Sequence, residues 1–137
     1  MAVIDATDSV LGRLASVVAK RLLNGEEIVV VNAEEAVVSG DRVSTFKEYQ
    51  EMRKIGSVMA GPHYPRMPDK ILTRTIRGML PYQKPRGRAA FKRLRVYIGV
   101  PDDFADANLE RIEQAIGDLR CECMKLGDLS RKLGAKF

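Results

Sequence analysis

Tryptophan is missing from this chain, histidine occurs once and cysteine twice. Two closely spaced thiols and one distant imidazole, Cys121, Cys123 and His63, make a poor zinc set, because zinc takes three or four ligands. The cysteines are too near each other to staple distant parts of a fold; they read as reduced, packed apolar side chains sharing one strand face. No H-E-x-x-H or G-x-S-x-G pattern is present. The first turn, Asp5-Ala-Thr-Asp-Ser-Val-Leu-Gly12, holds a single glycine and has acids where a phosphate would dock, so it is no dinucleotide or triphosphate loop. No apolar run approaches the ~20 residues that span a bilayer. The start, MAVIDATDSVLGR, carries an acid where a signal peptide would be basic. The expectation is a cytoplasmic, non-enzymatic chain with no catalytic residue, metal, cofactor, small-molecule substrate or membrane.

Acids are missing from the middle of the chain. Between Arg53 and Arg95 stand Arg53, Lys54, Arg66, Lys70, Arg74, Arg77, Lys84, Arg86, Arg88, Lys92, Arg93 and Arg95, twelve bases against Asp69 alone. That segment has a net charge of +11, whereas the rest of the chain sums to −6, for a total of +5 over 137 residues. An acidic body with a basic centre points to a polyanionic partner. Hydrophobic residues at 45% are ample for a core, so residues 1–137 read as one domain with the basic segment 53–95 inside it.

What is present patterns as α/β. Residues 2–4 form a short apolar strand, and Val10, Leu11, Leu14, Val17, Val18 and Leu22 follow the helical period. Asp8 or Ser9 reads as the cap of that helix, and Asn24-Gly25 as its end. The run Ile28–Val31 suits a parallel strand covered on both faces. Further expectations are an extended piece at 36–38, a polar helix over 42–54 and a Gly/Pro-rich loop over 55–68. A helix over 69–80, a break over 81–87, a short helix from Arg88 and a strand at 96–98 come next. An acidic loop over 101–108, a helix over 109–116, a strand over 120–124 and a final helix from Gly127 to Gly134 close the chain.

The segment over 69–80 carries the sharpest signal. At 100° per residue, Lys70, Arg74 and Arg77 fall at about 0°, 40° and −20°, one stripe, whereas Leu72, Ile76 and Met79 fall at about 200°, 240° and 180°, on the opposite face. One side should dock to a core while the other presents cations without the interleaved acids of an ordinary solvated face. Arginine predominates, and its planar fork suits phosphate. Lys84, Arg86 and Arg88 in the proline-stiffened stretch that follows extend the series, with glycine allowing close approach to a backbone, and Arg66, Lys92 and Arg93 flank it. His63-Tyr64 reads either as a stack for an unpaired base or as a packed tyrosine beside a surface histidine. No helix-turn-helix, zinc-finger or basic-zipper pattern is present, and an irregular basic face suits folded RNA better than a uniform duplex groove.

Thr73-Arg-Thr-Ile-Arg-Gly-Met-Leu-Pro-Tyr-Gln-Lys-Pro-Arg-Gly-Arg88, followed by Phe91-Lys-Arg-Leu-Arg-Val-Tyr-Ile-Gly-Val-Pro101, resembles the central signature of the L-thirteen family of large-subunit ribosomal proteins. Ile4-Asp5-Ala6, Leu11-Gly-Arg-Leu-Ala-Ser16, Val30-Val-Asn-Ala33 and Leu126-Gly-Asp-Leu…Leu133-Gly-Ala135 resemble it too, so the likeness covers essentially the whole chain, in its archaeal form. The segment 102–123 carries little of the signature. The resemblance implies a three-layer α/β/α fold with a mainly parallel four-stranded sheet and a basic irregular or helical insertion. It also implies a structural place in the large ribosomal subunit, contacting 23S-type rRNA and neighbouring ribosomal proteins, with no catalytic residue. The competing readings are an extra-ribosomal RNA-binding translational regulator and a small nucleotide-binding α/β enzyme.

Overall fold

The computed structural model describes residues 1–117 and 120–137. The elements run β1 (Ala2–Asp5), α1 (Leu11–Leu23), β2 (Ile28–Val31), β3 (Val37–Ser39), α2 (Arg42–Lys54), α3 (Pro68–Met79), α4 (Pro85–Lys92), β4 (Leu94–Val96), β5 (Leu109–Glu110), β6 (Cys123–Lys125) and α5 (Leu126–Lys132). A four-stranded sheet has the order β4-β2-β1-β5, with every neighbour parallel, and β3 pairs antiparallel with β6 in a separate ribbon.

β2 is buried along its whole length because it lies inside the sheet and is covered on both faces. Its register sets Ile4 beside Val30 and Val3 beside Val29. Alternation then sorts the side chains. Ile4, Ile28 and Val30 join the main core with Leu14, Val18 and Leu22 of α1 and Ile71, Leu72 and Ile76 of α3. Val3, Val29 and Val31 face a smaller cluster closed by Tyr97, Phe104 and Ala107. The α/β/α layering is therefore unequal: α1 and α3 pack on one face, and the other is roofed by the 97–107 segment with one 3-10 turn at Asp102–Phe104.

Several local expectations are corrected. Neither Asp8 nor Ser9 caps α1: the cap position is Val10, without a side-chain bond, and its N–H donates to the Ala115 carbonyl. The Asp41 carboxylate does cap α2, accepting the Ser44 N–H at 3.0 Å. α4 begins at Pro85, inside the expected break, because proline is suited to a first helical position where its missing N–H costs nothing; Pro68 opens α3 similarly. The strand expected at 96–98 is β4 at Leu94–Val96.

The helix expected over 109–116 does not form. Leu109–Glu110 pairs with β1 as the edge strand β5, and a turn follows that buries Ile112 and Ala115. Spacing of three between buried apolar residues imitated a helix; pairing with the open edge of β1 won. β6 starts later than expected, at Cys123, so Cys121 precedes the strand and is exposed, while Cys123 is partly buried; the two do not share a strand face. Asp118 and Leu119, which adjoin that expected strand, lie outside the described residues.

In open parallel sheets, ligands bind beyond the carboxyl ends of the strands where chain order reverses, here between β1 and β5. This chain fills that place with its own side chains. The Asp5 carboxylate, at the end of β1, accepts hydrogen bonds from the Thr7 backbone (3.0 Å) and hydroxyl (2.6 Å), the Asn32 amide (2.9 Å) and Arg111 Nε (3.2 Å). Burial pushes the carboxyl up, but the hydrogen bonds from Asn32, Thr7 and Arg111 outweigh it and hold Asp5 below the ordinary value.

Candidate nucleic-acid interface

α3 is the element that positions the site. Its buried side is Ile71, Leu72 and Ile76, all at 0% exposure. Met79, expected on that face, is 43% exposed; the helix ends there and Leu80 enters the core in its place. The outer side carries Lys70, Arg74 and Arg77, as the 3.6-residue period requires.

The two arginines are not loose. Arg74 is half-buried: its guanidinium lies 4.8 Å from the Tyr64 ring centroid, and Nη1 donates to the His63 carbonyl at 3.2 Å. Tyr64 in turn meets Tyr49 of α2 edge-on at 5.9 Å. Of the two readings of His63-Tyr64, the geometry favours the packed tyrosine beside an exposed histidine. Burial raises both phenols, Tyr49 to about 12, and keeps the pair neutral. One turn on, the Arg77 guanidinium sits 4.1 Å above the Tyr82 ring, which meets Phe91 of α4 at 5.5 Å and 90°. Two arginines on one helix thus rest on two tyrosine platforms, each anchored by a second aromatic ring.

The Pro81–Lys84 turn closes against the end of α3 and leaves an open cleft of about 550 Å³, lined by Arg74, Arg77, Leu80, Pro81, Tyr82 and Lys84 among others. Arg88 of α4 holds the turn's shape, donating from Nε to the Tyr82 carbonyl (3.1 Å) and from Nη2 to that of Gln83 (3.3 Å). Gly87 is buried, and a Cβ there would lie 2.0 Å from the Pro81 carbonyl oxygen. Its close approach is to this chain's own backbone, where the sequence suggested a partner's.

The basic run therefore divides in space. Arg74, Arg77 and Lys84 meet at the cleft, with Arg88 behind the turn, Lys70 one turn earlier on α3 and Arg86 exposed on the first turn of α4. Lys92, Arg93 and Arg95 line a separate depression beside Glu27 and Ile28. There Arg93 Nη2 donates to the Leu22 carbonyl at 2.8 Å and finishes the C-terminal turn of α1. Arg66 lies beside Gly134 after α5. Nearby, Arg53 donates to the Leu133 carbonyl at 3.0 Å and lines a small basic pocket with Lys54 and Lys132. The sequence does not single out Lys132, which stands far along the chain among mixed charges; only the fold brings it to Arg53.

Five ion pairs occur among the described residues: Arg21 with Glu26 and with Glu110, Arg111 with Asp5, Lys125 with Glu35, and Arg131 with Asp128. None involves a residue between 53 and 95. Five of its arginines, Arg53, Arg74, Arg77, Arg88 and Arg93, are oriented by rings or carbonyls, which fix a guanidinium without cancelling its charge. Among the described residues, no helix is long and apolar enough to cross a membrane, and no group of three or more potential metal ligands is found.

The family description "Ribosomal protein L13" matches residues 1–103. The chain is 54% identical to the large ribosomal subunit protein uL13 of Methanosarcina barkeri and 51% identical to that of Methanococcoides burtonii, with both chains covered fully in each case. It is 50% identical to the uL13 of Methanocaldococcus jannaschii, again over the whole of both chains. The matched span holds the sheet strands β1, β2 and β4, helices α1 to α4 and the cleft, and the chain belongs to the ribosomal protein L13 family.

Proposed function

We propose that this chain is a structural constituent of the large ribosomal subunit, that it binds large-subunit rRNA of the 23S type, and that it contacts neighbouring ribosomal proteins. Residues 1–137 act as one domain, since the main core gathers residues from Ile4 to Leu133. The observation that carries the RNA reading is the basic segment itself: twelve cations with no carboxylate within ion-pair distance among the described residues, three of which, Arg74, Arg77 and Lys84, meet at the cleft. The RNA-holding set is Lys70, Arg74, Arg77, Lys84 and Arg86, with Arg66, Lys92 and His63 at its margins. Tyr64 and Arg88 serve from behind, as platform and brace, and Arg93 chiefly anchors α1.

Family membership assigns a structural part in translation and no catalysis. The filled β1–β5 crevice supports the same reading, because Asp5 and Arg111 stand where a phosphate would otherwise dock.

Sedimentation of a cell lysate with detection of this chain tests the proposal. Cofractionation with large subunits, released by high salt, is the expected result. A pool found only with messenger RNA, away from subunits, would favour a translational regulator.

A further inference from the structure

Resting on that RNA reading, we infer that the cleft between the end of α3 and the Pro81–Lys84 turn takes one unstacked nucleotide of the RNA, its base laid against the Arg77 guanidinium. The cleft joins two kinds of lining. Arg74, Arg77 and Lys84 supply positive charge, while Leu80, Pro81 and Tyr82 supply apolar and aromatic surface, and among the described residues no acid lines it. Its volume of about 550 Å³ is in the range of small-molecule sites (roughly 300–1,000 Å³). A paired duplex presents phosphates on a convex surface and hides its base faces. A nucleotide turned out of a bulge or loop offers a planar π-face and a phosphate together, the combination this lining matches.

Arg77 is built as a shelf. Its guanidinium is held 4.1 Å above the Tyr82 ring, and that ring is fixed edge-on by Phe91. Arg77 itself is exposed, so on the side away from Tyr82 it is open to a second planar group. Gly87 and Arg88 hold the turn against α4, so the shelf is formed before RNA arrives and little ordering entropy remains to be lost on binding. Lys84 and Arg74, which line the same cleft, supply charge for the flanking phosphates.

The test uses the full chain and two RNA hairpins of equal length and charge, one fully paired and one with a single 2-aminopurine bulge. Wild type should prefer the bulged hairpin by about five- to 150-fold, the range that base stacking on a side chain confers, and 2-aminopurine fluorescence should change on binding. Arg77→Lys keeps the charge and removes the plate, so it should abolish the preference and leave the salt slope unaltered. Tyr82→Ala should do the same and Tyr82→Phe should restore it; Arg77→Lys decides the matter if Tyr82→Ala disturbs the turn. Lys70→Ala, outside the cleft, should lower the slope and keep the preference. Equal binding of both hairpins by wild type, or a preference that survives Arg77→Lys, overturns the inference while the RNA reading stands. Failure to bind either hairpin or an rRNA fragment overturns both. Displacement of the hairpin by micromolar 5′-AMP would make this a free-nucleotide site and overturn the inference too.

Discussion

Arg21 and Arg74 stand on two helices that pack against each other in one core, yet their charges are answered differently. Arg21, on α1, is held between the Glu26 and Glu110 carboxylates at 2.8 and 2.9 Å, which raise its already high pKa further and neutralise its field. Arg74, on α3, is held by a tyrosine face and a carbonyl oxygen. Both side chains are ordered, but only the second keeps its full charge for a partner. Positive residues thus serve as internal clamps on the acidic side of the molecule and as displayed charges on the basic side. Among the described residues, the ion pairs of the acidic body stay within it, and none reaches a cation of the 53–95 segment.

The cores of the two helices should behave alike, which is the largest effect expected. Leu14→Ala on α1 and Leu72→Ala on α3 each empty a fully buried site and should cost roughly 2–5 kcal/mol in urea unfolding. Neither should alter the salt slope of rRNA binding by the folded protein. A cost below about 1 kcal/mol for Leu72→Ala would mean that α3 is not anchored as described.

The two regions should also differ in their response to pH. Tyr49 and Tyr64, beneath the basic face, are raised by burial, so their contribution is intact below pH 10 and lost as pH climbs toward 12. Asp5, in the sheet body, is depressed; its contribution is present above about pH 4 and lost as pH falls further. Thermal melts of wild type and Tyr49→Phe between pH 9 and 12 check the first: the variant should lose less stability over that window.

Arg74→Ala comes next. The stripe alone suggests a surface charge whose removal costs stability almost nothing. The structure revises this, because Arg74 also ties the 63–64 segment to α3. Losing the ring contact and the carbonyl bond should cost on the order of 1 kcal/mol, in addition to weaker RNA binding. Arg21→Ala is the smallest, expected within about 1 kcal/mol in stability because its ion pairs are partly exposed.

The β1-α1-β2 unit could be read from the chain because each element carries its own period: an apolar run at Ile28–Val31 and helical spacing from Val10 to Leu22. The charged stripe of α3 was legible for the same reason. Segment 109–116 was not, because two residues of edge strand leave no period and the spacing of Leu109, Ile112 and Ala115 fits a helix equally well. Nor could charge density separate displayed cations from braces: Arg88 and Arg93 look like their neighbours until the carbonyls of Tyr82, Gln83 and Leu22 are placed beside them. The glycine at 87 invited a reading toward a partner's backbone, and only the fold reveals Pro81 above it.

The most direct test of displayed against clamped charge is binding of a large-subunit rRNA fragment as a function of salt for wild type, Arg74→Ala and Arg21→Ala. Each phosphate contact contributes roughly −0.7 to −0.9 to the log–log slope. The expected result is a slope flatter by about one for Arg74→Ala and a line for Arg21→Ala parallel to wild type. Equal flattening by both variants, or an unchanged slope for Arg74→Ala, would contradict the distinction between an arginine answered by carboxylates and one displayed to RNA.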